Sequence, residues 1–191
     1  MPTYPLLNIN PDAVWKPGPT HKTWGYVSNE MLAVCMHSME GYESGAWDQL
    51  FGPAQVSWHF SVMQNGVVYQ HYPLAASPWH AGSEYQNKRL IGIEHEGVKG
   101  EALTEAQLAA SIRLVHWIGV QCGWVPSLGA DTRRTIYLHS DASATTCPNG
   151  RIPLDRYVAP VVLVPPVAPV KTTKEQLLAQ LEVTKKLVEA L

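Results

Sequence analysis

The 191-residue sequence is short of charge, of paired cysteines and of long apolar runs, and each shortage removes a class of function. Charged residues make up 16% of the chain and the formal net charge is only -2, so neither nucleic acid nor an anionic membrane is expected as the main partner. No stretch reaches the ~20 apolar residues of a membrane span, and no membrane insertion is expected. The opening Met1-Pro2-Thr3-Tyr4-Pro5 has neither the basic start nor the apolar run of a secretory signal, which predicts synthesis and folding in the cytoplasm. Three cysteines, an odd number, do not read as a disulfide framework. Cys35 sits in an apolar run and Cys122 ends a helical pattern; both read as buried thiols, whereas Cys147 sits in a different setting. No internal repeat is visible.

What is present is a core and a store of flat rings. Hydrophobic residues are 46% of the chain, enough to bury a core, and there are seven tryptophans and eight tyrosines. Aromatic faces suit sugars and peptides in a cleft, and they equally suit packing. Trp47, Trp58, Trp79 and Trp124 are open to both readings.

Residues 1–25 hold five prolines and little periodicity, so residues 1–27 are expected to be an irregular arm over the domain. Met31 to Met36 is a continuous apolar run ending at His37, a buried strand entering a loop. Residues 46–51 read as a short helix. Residues 55–64 and 67–71 read as two strands joined by the tight turn Asn65-Gly66. Residues 90–96 form a further strand. Thr104 is a plausible N-cap, Gln107 completes a capping box, and Leu108, Ile112, Val115 and Ile118 follow at helical spacing until Gly123 stops the helix. Residues 135–138 are a last strand leading to His139.

Composition changes after Arg156. Residues 158–171, rich in valine and proline, read as an extended linker. Residues 172–191 carry Leu177, Leu181, Thr184, Val188 and Leu191 at four-three spacing, an amphipathic helix too short to be stable alone. It either packs back on the domain or gives the chain a surface for self-association.

Three metal-ligand side chains stand at strand ends. His37 follows the first buried strand, His139 the last, and Cys147 comes eight residues after His139. Two imidazoles and a thiolate make a full protein set for a catalytic zinc that keeps one position for water. Chance also places some of eight histidines near strand ends, and the spacing is no local zinc-finger pattern. Glu94 and Glu96, two apart on a strand, share one face while Ile91 and Ile93 take the other. Such paired acids line a site or a solvated face. A carboxylate beside an activated water can serve as general base and then general acid.

Six segments now fall in order: Val34-Cys35-Met36-His37-Ser38, Val56-Ser57-Trp58-His59-Phe60, Gln64-Asn65-Gly66, Trp79-His80-Ala81-Gly82, Ile91-Gly92-Ile93-Glu94, and His139-Ser140-Asp141 to Thr145-Thr146-Cys147-Pro148. Together they resemble the zinc amidases, which include phage lysozyme-type amidases, cytoplasmic anhydromuropeptide amidases and peptidoglycan recognition proteins. The resemblance covers roughly residues 28–157 and makes residues 1–157 the catalytic domain. It implies an α/β fold, a mixed central β-sheet flanked by helices, with one zinc ion at the floor of a surface groove.

The resemblance further implies N-acetylmuramoyl-L-alanine amidase activity on peptidoglycan, with His37, His139 and Cys147 as ligands. By it His80 and Asn87 contact the substrate, and Trp58 and Trp79 are candidates for the groove wall. Some members carry a catalytic tyrosine where this chain has Trp58, whose indole cannot replace that hydroxyl. Others carry a glutamate at the position of Glu94, so catalysis is assigned to Glu94 in preference to Glu96. Where lysine is common, this chain has Thr145, which can donate a hydrogen bond to an oxyanion but brings no charge. The linker and terminal helix suit a phage or prophage endolysin reaching the wall through a holin-made lesion. A recycling amidase, a non-catalytic peptidoglycan-binding module and an assembly protein acting through the terminal helix are the alternatives. His59 is read as a packed or supporting histidine, and His95 as pointing away from Glu94.

Overall fold

The computed structural model describes residues 9–129 and 134–159. The expected linker beyond residue 159 and the amphipathic helix, with its self-association surface, lie outside the described residues. Six strands form one mixed sheet in the order β1-β4-β3-β5-β2-β6. They are β1 (Val14–Trp15), β2 (Ala33–Ser38), β3 (Phe60–Val62), β4 (Val68–Gln70), β5 (Leu90–His95) and β6 (Ile136–Leu138). β3, β5, β2 and β6 run parallel, β4 is antiparallel to β3, and β1 is parallel to β4.

The centre of the sheet follows from its apolar runs. Every residue of β2 is buried, as a strand covered on both faces requires. Alternation sends Val34, Met36, Ile91, Ile93, Phe60 and Val62 to one face, where they meet Leu108, Leu114, Val115 and Ile118 of α3 (Glu105–Cys122). Each such isoleucine or leucine contributes about 1.5–3 kcal/mol when buried. Ala33, Cys35 and Leu90 take the opposite face and pack with Ala81. His37 therefore shares a face with Cys35, and Glu94 with Leu90 and Gly92, away from α3. A smaller cluster sets Ala46 and Leu50 of α1 (Glu43–Phe51) against Trp58 and Tyr72.

Helix α3 begins and ends where its cap residues stand. The Thr104 side chain accepts the Gln107 N–H, and Gly123 closes the helix in the left-handed region at φ 77. The reciprocal half of the expected capping box is not made. The Gln107 amide instead donates to the Val62 and Glu96 carbonyls, tying the helix start to the ends of β3 and β5.

Other expectations also shift. The arm is not wholly irregular, because Val14 and Trp15 pair with Tyr69 and Gln70 and extend the sheet. Lys22 of the arm is buried and its ammonium donates to the Gln49 and Leu50 carbonyls at the end of α1. The strand expected over 55–64 narrows to Phe60–Val62, because Ser57 bonds to Trp79 and Lys22 of crossing loops instead of extending the ladder. A short helix, α2 (Glu84–Asn87), precedes β5, and α4 (His139–Ala142) follows β6 directly. α5 (Asp155–Val158) takes in the first residue of the expected linker.

Candidate active site

The carboxyl ends of parallel strands in an open α/β sheet are where ligand sites form, and here three of them meet. His37 near the end of β2 sits beside Glu94 of β5 in the register of the sheet. His139 begins α4 at the end of β6, the other neighbour of β2. The segment after α4 returns, and Ser140 N–H donates to the Cys147 carbonyl. That return brings the thiol to the strand ends, where Ser38 N–H donates to Cys147 Sγ at 3.3 Å.

One ligand atom each from His37, His139 and Cys147 lie within 4.8 Å of one another. His37 Nδ1 is 4.0 Å from Cys147 Sγ and 3.9 Å from Glu94 Oε1, and the His37 and His139 rings stand 4.5 Å apart. Two nitrogens and a sulfur at this separation fit a tetrahedral zinc ion with one position open. A second group, Cys35, His37 and His80, is equally close-knit but wholly buried.

The electrostatics of the cluster follow from its burial. Loss of water holds His37 and His80 well below the usual histidine range and lowers His139, so all three are neutral near pH 7. Burial, then the nearby Glu94, pushes the Cys147 thiol up to about 12. Burial, then the charge of Glu40, pushes Glu94 up to about 8, against the pull of Arg151. The Glu94 side chain is 15% exposed, and its Oε2 is buried with no hydrogen-bond partner. A buried, unpartnered carboxylate oxygen beside three metal-ligand atoms is costly unless a cation or a reacting group completes it.

These groups open on a groove of about 510 Å³. Met39, Ala46, Val56, Trp58 and Trp79 give it an apolar wall, while Ser38, Glu40, Gln49 and Thr145 give polar points. Glu96, the alternative acid, is engaged elsewhere: its two oxygens accept the Glu43 and Gln64 N–H groups.

A family profile described as N-acetylmuramoyl-L-alanine amidase matches residues 21–150, a span that contains His37, Glu94, His139 and Cys147. The chain belongs to the N-acetylmuramoyl-L-alanine amidase family. N-acetylmuramoyl-L-alanine amidase A of Achromobacter lyticus is 34% identical to it over 119 residues, 58% of this chain and 66% of that relative's length. Among solved structures, the endolysin amidase LysCS from Clostridium intestinale superposes with a TM-score of 0.58 at 19% identity, covering 77% of this chain and 93% of that one. AmpD superposes with a TM-score of 0.62 at 23% identity, covering 76% and 92%. At these identities the two structures speak to the fold alone.

Within this amidase frame, the polar atoms of His80 and Asn87, the two residues expected to touch substrate, are engaged by the protein itself. His80 is buried, with Nε2 at 3.2 Å from the Leu90 carbonyl and Nδ1 at 3.1 Å from His37 Nε2, so neither ring nitrogen is left for substrate. Asn87 is buried as well, and its Oδ1 accepts the N–H groups of His80 and Ala81. Asn87 stands behind the groove, whereas His80 is part of its lining, with both ring nitrogens engaged by the protein. Trp58 and Trp79 line the groove, but the Trp58 indole N–H is committed to Ser61 Oγ. Thr145 lines it too; its hydroxyl oxygen accepts the Cys147 N–H, leaving its proton to donate.

Two residues near the site have roles that the sequence analysis did not assign. The buried Arg151 guanidinium donates to Ser38 Oγ and to the carbonyls of His95, Glu96 and Glu101, bolting the ends of β2 and β5 together. Its partners are mostly backbone oxygens, which no motif records. Gly92 is the second. A Cβ there would stand 2.6 Å from His80 Cγ, so the amidase-type Ile-Gly-Ile segment leaves the slot in which the His80 ring lies. Gly92→Ala is expected to destabilise the fold by about 1–3 kcal/mol, as overpacking does, read by thermal or denaturant unfolding. Unchanged stability would mean that the ring moves aside freely.

Proposed function

We propose that the chain is a zinc-dependent hydrolase that cuts the amide between the lactyl group of N-acetylmuramic acid and L-alanine in peptidoglycan. The observation that carries this reading is the meeting of His37, His139 and Cys147 within 4.8 Å, beside a carboxylate oxygen of Glu94 that has no partner, on the floor of a groove. His37, His139 and Cys147 hold the ion. Zinc bound there supplies a Lewis acid for the amide carbonyl and lowers the pKa of water toward ~7. A divalent cation held beside Glu94 would favour its charged form and bring it down from the value of about 8 that burial alone imposes, so that Glu94 takes the proton of the attacking water and returns it to the departing alanine nitrogen. The Thr145 hydroxyl donates to the oxyanion that develops as the carbonyl is attacked. Trp58 and Trp79 shape the wall against which glycan and peptide lie.

The role proposed is that of an endolysin, acting on the intact wall after release from the cytoplasm through a holin-made lesion. The fold is shared with both LysCS and AmpD and does not choose between them, so recycling of soluble wall fragments is the competing role. One experiment tests both levels. The chain is incubated with intact sacculi and, separately, with soluble anhydromuropeptides, and products are read by mass spectrometry. New L-alanine amino termini and free lactyl carboxylates from sacculi are expected. Cleavage of fragments alone would replace the endolysin role with recycling. Zinc-loaded chain that cuts neither, yet sediments with sacculi, would replace the enzyme with a binding module.

A further inference from the structure

We propose that His80 is a positioning residue: an imidazole–imidazole hydrogen bond from His37 to His80 fixes which ring nitrogen of His37 faces the metal. The proposal rests on the reading that His37, His139 and Cys147 hold zinc. Its geometry runs along one line of atoms. His80 Nε2 lies 3.2 Å from the Leu90 carbonyl oxygen, which can only accept. His80 therefore carries its proton on Nε2. A neutral imidazole has one N–H, so His80 Nδ1 is bare and accepts. The atom 3.1 Å away is His37 Nε2, which must donate. His37 Nδ1 is thereby left as a lone pair, and it is the nitrogen that lies 4.0 Å from Cys147 Sγ.

Ligating histidines ordinarily donate their second N–H to a carboxylate or a backbone carbonyl, which sets tautomer and ring orientation. In this chain the carbonyl is reached one ring further on. The two rings meet edge to face, with centroids 5.2 Å apart and planes at 87°. The relay ring is itself held on several sides. Asn87 Oδ1 fixes the backbone at His80 and Ala81, at 3.0 and 2.7 Å, and Gly92 leaves the ring its slot. His59 in turn accepts the Gly92 N–H on Nδ1. The other histidine of the cluster lacks such an arrangement. His139 Nε2 meets the Ser143 hydroxyl, which can donate or accept and so dictates no tautomer.

The test uses the full chain, with zinc as the probe. In the metal-free wild type, nitrogen-15 NMR of the imidazoles is expected to show the His37 proton on Nε2. His80→Leu, which removes the acceptor, is expected to release that tautomer and to weaken zinc binding by about 10–100-fold, measured by chelator competition. His80→Gln, whose carbonyl can accept from His37, should recover most of the loss. A His37 proton on Nδ1 in the wild type, or zinc affinity within twofold of wild type in His80→Leu, overturns the proposal. If His80→Leu does not fold, the wild-type spectrum alone decides. His139→Ala separates the two levels: if it keeps full zinc affinity, the ligand assignment fails, while the tautomer of His37 is still read directly.

Discussion

Glu94→Gln is expected to lower turnover of purified peptidoglycan by about 10²–10⁴-fold while zinc content stays at one ion per chain, the range general acid–base catalysis supplies. Glutamine keeps the shape of the side chain and removes only the ability to take and return a proton. The expectation rests on position. Glu94 Oε1 is 3.9 Å from His37 Nδ1, and Oε2 is buried without a partner. Among the described residues no other carboxylate lines the groove unengaged: Glu40, the remaining acid of the lining, is occupied by Ser38, Asn149 and the Lys99 N–H. Trp58 cannot substitute, since its indole donates to Ser61 and has no acidity in the working range. Turnover within a few-fold of wild type would remove Glu94 from the chemistry.

The same substitution has a stability signature of opposite sign. Burial pushes Glu94 up to about 8, so between the ordinary carboxyl value of 4.5 and that point the folded chain keeps a proton that the unfolded chain has released. Stability then falls as pH rises through this window. Glu94→Gln removes the penalty. In the presence of chelator, the variant should melt above wild type at pH 8 and converge with it near pH 5. The proposed catalytic role would thus come at a cost in stability, as trades between activity and stability do.

How far the site was legible in the sequence depended on the kind of contact. β2, β5 and α3 announce themselves by burial runs and by a cap and a stop, because those signals are local and periodic. The order of His37, Glu94, His139 and Cys147 was legible through six short segments, and parallel pairing then brings the strand ends together. What the pattern hid were contacts between distant segments with no period. β1 is two residues long and owes its place to β4. Arg151 works through carbonyls of residues 95, 96 and 101. His80 and Asn87 sit in segments that resemble substrate contacts, yet their polar atoms turn inward to each other and to His37. Sequence reports the residue type; which way the loop 79–82 folds over Gly92 is a packing result.

Cys147→Ser is expected to cost most of the zinc affinity and nearly all turnover while leaving sedimentation with sacculi in place. A hydroxyl is a harder, far less acidic donor than a thiol, and zinc favours thiolate in a shell with imidazole. The groove wall of Trp58, Trp79 and Val56 does not depend on the sulfur, so wall binding should persist. The proton balance gives an independent reading. His37 and His139 are held neutral by burial, whereas the Cys147 thiol is held up to about 12 and keeps its proton at pH 7. Zinc must displace that proton, so uptake by the wild type should release at least one proton per ion, and affinity should rise with pH. Calorimetry in buffers of different ionisation enthalpy measures the release, and the serine variant should lack the thiol's share. Zinc at about a thousand times its Kd would also add about 4 kcal/mol to the stability of the wild type, and chelator would remove it. A serine variant that binds zinc within tenfold of wild type, or uptake without proton release, would place the ion somewhere other than beside Cys147.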